Sequence, residues 1–332
     1  MVPKTPHFRA LPSVQVDGYV PHSLHTEHQV WPERNCYVDV WIELLHALEL
    51  EPVAAMGSAL AVDFEGDQWT FFKPPLGDLR VLYGVNVQEL TVWRPLLDHA
   101  IEHLSAGKLI STEADAFWLP DTVGTDYQRK HTKTTIILND VDLDNERLSY
   151  FHNTSYHSLA DEDFRGFFRL GALQDPAHLP LYAELIRCDR LERHSSAELA
   201  QISTVLLRQA LCQRPRTNPL CRFGTHIVAD FAVIQERGLA EYHAWAFATT
   251  RQCGAAFDLT AAHLRWLSEA GAINALPASE SFNFIAQTCK AMILKAARAV
   301  SSRRPLDVNA MIEAMAQSWD SGMASVELAL KR

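Results

Sequence analysis

The apolar positions divide the chain into two regimes. Over residues 35–50, Val38, Trp41, Ile42, Leu45 and Leu48 recur at helical spacing and leave only a narrow polar stripe. That pattern predicts a helix buried on most sides, capped by Asn35 and ended before Pro52. Residues 59–64 and 68–73 alternate on either side of Glu65-Gly66-Asp67, the mark of a hairpin. A helix over 76–83, a strand over 87–93, a helix over 95–105 stopped by Gly107 and a strand over 108–114 follow. A second hairpin pairs 134–138 with 148–151. Beyond about Pro176 the alternation stops, and helical periods run between Ser195-Ser196, Pro215 to Pro219, Gly238, Gly254, Gly271, Pro277 and Pro305. These predict an α-helical bundle. Residues 1–30, with Pro3, Pro6, Pro12 and Pro21, read as an extended arm. The expected layout is therefore an arm (1–30), an α+β domain (31–175) and an α-helical domain (176–332).

Composition narrows the functional classes. The 332 residues are 48% hydrophobic and 21% charged, as in a soluble globular protein. With 30 basic and 40 acidic side chains the net charge is −10, which argues against nucleic-acid binding through a generally basic surface. The charge is uneven: residues 1–175 hold 13 basic and 26 acidic groups, residues 176–332 hold 17 and 14. Six scattered cysteines without a CxxC pair suggest reduced intracellular thiols. No apolar run reaches the roughly 18 residues of a membrane span, and the first residues lack a signal-peptide core, so a cytoplasmic protein is expected. Neither a Walker loop nor a GxGxxG motif suggests a nucleotide.

Chemistry is most concentrated at Cys36. It stands at the start of the buried helix, where unpaired amide N–H groups and the helix dipole favour a thiolate. Asp39, Glu43 and His46 continue the same face and are expected to form a solvated edge or a satisfied polar network, not a metal site. A thiol nucleophile needs an imidazole to carry its proton and a third group to orient that ring. His131 precedes the first strand of the second hairpin and Asn153 ends the next, so antiparallel pairing would bring the two to one end. That geometry fits a Cys–His–Asn triad.

Several of these segments carry a resemblance. Asn35-Cys36 at a helix start, the run Asp115 to Pro120 with Tyr127 and His131 before a strand, and the hairpin Val141 to Asn153 followed by Ser158 to Phe164 resemble the papain-like fold of bacteriocin-processing cysteine peptidases. They resemble more closely the N-terminal domain of butirosin-biosynthesis H-type acyltransferases. The whole chain resembles a bacterial family of the same two-part layout, domain of unknown function 1839, associated with carrier proteins loaded by synthetase-like amino-acid ligases. The resemblance implies a papain-like fold and a Cys nucleophile that moves an acyl or aminoacyl group from a carrier-protein phosphopantetheine thioester to a small-molecule amine. Cys36 would be the nucleophile, His131 the base and Asn153 the orienting group. A gapless match puts Thr134 where a His often stands, so His152 and His157 are weighed beside His131. Gln29 would donate to the oxyanion, and Asp115, Trp118 and Tyr127 would line the acyl pocket or anchor its loop. No bound cofactor is implied, since phosphopantetheine arrives on the partner.

Other signals carry less. His22, His25 and His28 lack a fourth ligand and read as surface residues. Asp140, Asp142, Asp144 and Asn145 echo a calcium loop but fit a β-turn. In the helical half, Arg208, Arg214, Arg216 and Arg222 form one basic cluster, and Lys290, Lys295, Arg298, Arg303 and Arg304 another. They offer a dock for an acidic carrier protein. The leading expectation is a cysteine-dependent acyltransferase. Its rivals are a cysteine peptidase or amidase of the same fold, and a non-catalytic module that dimerises through the helical bundle.

Overall fold

The computed structural model describes residues 7–26, 29–171 and 179–331. Contacts divide the chain into two compact units. The first comprises residues up to Thr26, Cys36–Leu50 and Leu79–Glu192; the second comprises Glu27–Asn35, Glu51–Asp78 and Arg193–Arg332.

In the first unit, β1 (His7–Arg9), α1 (Cys36–Ala47) and α2 (Leu76–Tyr83) precede the sheet proper, α2 beginning just inside the second unit's range. The second unit also holds the two-residue strands β2 (Phe64–Glu65) and β3 (Gln68–Trp69). There follow β4 (Asn86–Glu89), α3 (Leu96–Ser105), β5 (Leu109–Asp115), β6 (Lys133–Asp142), β7 (Arg147–His152), β8 (Ser155–Ala160), α4 (Asp161–Phe167) and β9 (Ala183–Arg187). The sheet is antiparallel, in the order β4-β9-β5-β6-β7-β8. β1 pairs with the last residues of β6, past a bulge between Leu138 and Asp140 and beyond the stretch taken by β5. α1 packs against β6, β7 and β8. A core of Ile110, Ile136, Leu138, Leu148, Tyr150, Phe164 and Phe167 fills the space under α3 and α4.

The second unit is helical. Its helices are α5 (Ser196–Cys212), α6 (Pro219–Arg237), α7 (Leu239–Ala246), α8 (Gln252–Glu269), α9 (Leu276–Ser302) and α10 (Asn309–Lys331), with a π-helical turn at Phe247–Arg251. Ser195 and Glu198 close a capping box at the start of α5. Segments from the N-terminal half complete the core. Trp31 donates Nε1–H to the Ala286 carbonyl at 3.1 Å. It lies so close to α8 that a Cβ on Gly254 would fall 2.5 Å from its ring. Arg34 pairs with Asp258 at 2.6 Å, both buried. Phe64 and Trp69 pack on Phe223, and Trp69 on Phe257.

An α+β region with an antiparallel sheet and a helical C-terminal region are as expected. The boundaries are not. β9 lies past residue 175 yet joins the sheet between β4 and β5, and residues 51–78 group with the helices. Of the strands anticipated over 59–64 and 68–73 only Phe64, Gln68 and Trp69 are in strands; Gly57–Ala61 is a 3₁₀ turn packed against α5 and α8. β8, α4 and β9 were not foreseen. The arm is a sheet strand in part, since His7–Arg9 pairs with Asp140–Asp142 of β6, and Arg9 and His7 also bond the Asp140 side chain.

Candidate active site

Cys36 is the first residue of α1 and half-buried. Its Sγ–H donates to Thr135 Oγ1 on β6 at 3.7 Å. One residue on, the Tyr37 hydroxyl donates to Glu184 on β9, 3.0 Å from Oε2 and 3.3 Å from Oε1. Tyr182 donates to Oε1 at 3.0 Å. The register pairs Glu113 with Thr135, and Ser111 with both Ile137 and Glu184. Directly paired residues share a face, so the start of α1 looks down on Glu113, Thr135, Ser111 and Glu184. Glu184 is 3% exposed and has no ion-pair partner among the described residues. Burial, together with the Glu184 charge, pushes the Tyr182 hydroxyl up to about 12 and raises Tyr37 as well.

Deeper along α1 lies a buried polar knot. His25 bonds Glu43 through Nδ1 and Asp39 Oδ1 through Nε2, the latter at 3.2 Å. Tyr19 donates to Glu43 Oε2 at 2.6 Å and the His22 amide to Oε1 at 3.0 Å. Burial lowers the affinity of His25 for a proton, but its bonds and charge interactions with the two carboxylates outweigh it and hold the ring above its ordinary value. The satisfied network expected of Asp39 and Glu43 is present. The surface role expected of His25 is not, because an acidic i, i+4 pair on a buried helix face needs a cation. His46 donates instead to the Val20 carbonyl and packs on His22; His28 lies outside the described residues.

Cys36, His131 and Asn153 do not hydrogen-bond one another. His131 lies four residues before Thr135, beyond the start of β6. Its ring is 72% exposed, bonds Asp115 Oδ2 through Nδ1 at 2.6 Å and stacks on Phe117 at 4.5 Å. Asn153 occupies the two-residue turn between β7 and β8 with φ +47°, so it serves the hairpin. His152 pairs in register with Ile136 and therefore points to the α3/α4 face, away from Cys36. There its Nε2 meets Thr134 Oγ1 at 2.8 Å and its Nδ1 meets Asp121 Oδ2 at 2.5 Å, while Tyr150 donates to Asp121 Oδ1. Burial pushes the Asp121 carboxyl up, but His152 and the nearby His157 outweigh it and hold Asp121 below its ordinary value. Burial lowers His157. This chain ties the loop after β5 to the sheet. Sequence reasoning missed it because Asp121 lies in a loop with no periodic signal.

Three other expected residues do meet. Asp115, Trp118 and His131 line one cavity of about 280 Å³ together with Gly166, Phe167, Arg169 and Leu181. Tyr127 anchors its loop by donating to Asp163 at 2.9 Å. Gln29 is half-buried within the Glu27–Asn35 stretch that groups with the helical unit. Asn35 donates Nδ2 to the Phe72 carbonyl. The calcium-like run is a turn in which Asn145 bonds Asp142. Among the described residues no group of three or more His, Cys, Asp or Glu is arranged to hold a metal ion.

The basic clusters are largely spent within the helical unit. Arg214 pairs with Glu327, Arg222 with Asp63, and Lys295 donates to the Asp307 carbonyl. Lys290 lies over the Trp31 ring at 4.9 Å. Arg216 and Arg298 are exposed, with no side-chain bond among the described residues. Among the described residues no helix is long and apolar enough to cross a membrane.

Two family models match the chain: the DUF1839 N-terminal domain over residues 20–188 and the DUF1839 C-terminal domain over residues 196–328. No curated protein matches it.

Proposed function

The chain belongs to the DUF1839 family, and we propose that it is a cysteine-dependent acyltransferase of papain-like architecture that takes an acyl group from a carrier-protein thioester and passes it to an amine. The observation that carries this reading is the Cys36 thiol. It is half-buried at the first turn of an otherwise buried helix, and a hydroxyl is its hydrogen-bond partner. Helix N-termini favour negative charge, and a thiolate is the attacking species.

In the first step the Cys36 sulfur attacks the thioester carbonyl and the carbon–sulfur bond to phosphopantetheine breaks, its thiolate leaving to take up a proton. In the second step the amine nitrogen attacks the acyl-Cys36 carbon, the Cys36 sulfur leaves, and the proton lost from nitrogen restores the thiol. Both leaving groups are thiolates, which depart without an acid. Peptide cleavage requires protonation of an amine leaving group, the task an imidazole performs in a triad. Because among the described residues no imidazole bonds Cys36, transfer is favoured over the peptidase alternative. Glu184, on the face below the thiol, suits a cationic amine or an ammonium-bearing aminoacyl group; Glu113 on the same face is already paired with Lys133.

The test is incubation with carrier proteins loaded with several aminoacyl groups, read by intact mass. The expected result is a mass gain of one acyl group, absent in Cys36→Ala and retained in His131→Ala. No adduct from any loaded carrier, or an adduct that persists in Cys36→Ala, overturns the reading.

A further inference from the structure

The cavity beside Asp115 and His131 is built with more care than a surface dimple requires. Its floor depends on Gly166, where a Cβ would fall 2.2 Å from the Trp118 ring, so only glycine lets the indole lie flat on α4. Phe167 and Leu181 complete an apolar wall. The polar side holds the His131–Asp115 pair, in which Asp115 is committed to His131 Nδ1 and the Phe117 amide. His131 Nε2 has no partner among the described residues.

Arg169 supplies the remaining polar wall and closes α4 as Glu49 closes α1 and Arg303 closes α9, at a left-handed position. The Leu170 amide bonds the Arg165 carbonyl and the Arg169 amide bonds that of Gly166, the Schellman closure of a helix. The residue at its left-handed position is ordinarily glycine; here it is Arg169, at φ +54°. Its guanidinium spends one donor on the Leu179 carbonyl and meets no carboxylate among the described residues.

We propose that this cavity binds a small organic carboxylate, its acid group on Arg169 and its apolar body between Trp118, Phe167 and Leu181. Planar guanidinium matches a carboxylate in shape and charge, and the volume suits a molecule of roughly ten heavy atoms. The inference is independent of the chemistry assigned to Cys36.

Ligand-observed NMR and calorimetry on the full chain, with aliphatic and aromatic monocarboxylates of five to ten heavy atoms and their matched amides and amines, provide the test. Carboxylates should bind at least tenfold more tightly than their amides or amines. Arg169→Gln should weaken them at least tenfold, and Gly166→Ala, which displaces Trp118, should do the same. Arg165→Gln, outside the cavity, should leave them unchanged. Arg169→Gly separates function from structure: it should raise the thermal midpoint by relieving the left-handed arginine while losing the ligand. Equal binding of amides, unchanged affinity in Arg169→Gln and Arg169→Gly, or no binding by any carboxylate overturns the proposal.

Discussion

Replacing His25 with glutamine removes the ring that joins both carboxylates of α1. His25 reaches Glu43 through one nitrogen and Asp39 through the other, and all three side chains are almost fully excluded from water. Glutamine can restore one donor but no charge. One lost charge-assisted bond is worth about 1.5–3 kcal/mol, and leaving buried carboxylates without their cation brings the loss to about 3–5 kcal/mol. For a unit of this size that lowers the thermal midpoint by about 6–20 °C, measurable by circular dichroism. The pH dependence has a definite sign. The folded ring is held above the ordinary histidine value, so its contribution is complete below pH 6.5 and is lost as pH rises through the folded value. The gap between wild type and His25→Gln should therefore be widest near pH 6 and narrow toward alkaline pH. A gap under about 1 kcal/mol, or one that widens as pH rises, would refute the charged-knot account.

The helical unit should respond to pH in the opposite direction. His263 is fully buried and donates to the Val53 carbonyl; burial lowers it to about 4. That contribution is complete above pH 6.5, and about 3 kcal/mol should disappear as pH falls toward 4, seen as a fall in urea midpoint that His263→Asn largely abolishes. Arg34→Met strands Asp258, whose carboxyl burial already raises against the pull of Arg34. It should cost about 3–5 kcal/mol in urea unfolding, much of which Arg34→Met/Asp258→Leu recovers. At the β7–β8 turn, Asn153→Ala should lose about 1 kcal/mol because alanine resists the left-handed region, whereas Asn153→Gly should not. Neither should alter acyl loading of Cys36 by intact mass; a loading defect in both would reinstate Asn153 at the site.

What was legible in the sequence was what repeats. α2, α3, β5 and the β6–β7 hairpin fall within a few residues of their expected places because their apolar periods are long and bounded by turn residues. β9 is five residues with a buried glutamate at its second position, a pattern that alternation cannot distinguish from a loop. At the site, Cys36 could be read from one local feature, a thiol at a helix start. Its partners could not, since they depend on the face each strand presents: Thr135 and Thr134 are neighbours in sequence, yet one meets the thiol and the other meets His152. The role of His25 was hidden in a proline-rich arm, although the unbalanced acidic pair on α1 was a sign that some cation must arrive from elsewhere.

The route of the chain through its two compact units has a practical reading. Family matching cuts the polypeptide near residue 190, yet the bundle's interior is finished by Trp31, Arg34, Phe64 and Trp69, delivered from far upstream. A fragment starting at residue 193 would carry unfilled holes and an orphaned Asp258, and would be expected to behave as a loosely packed globule. A working excision of the helical unit would therefore have to bring residues 27–35 and 51–78 with it.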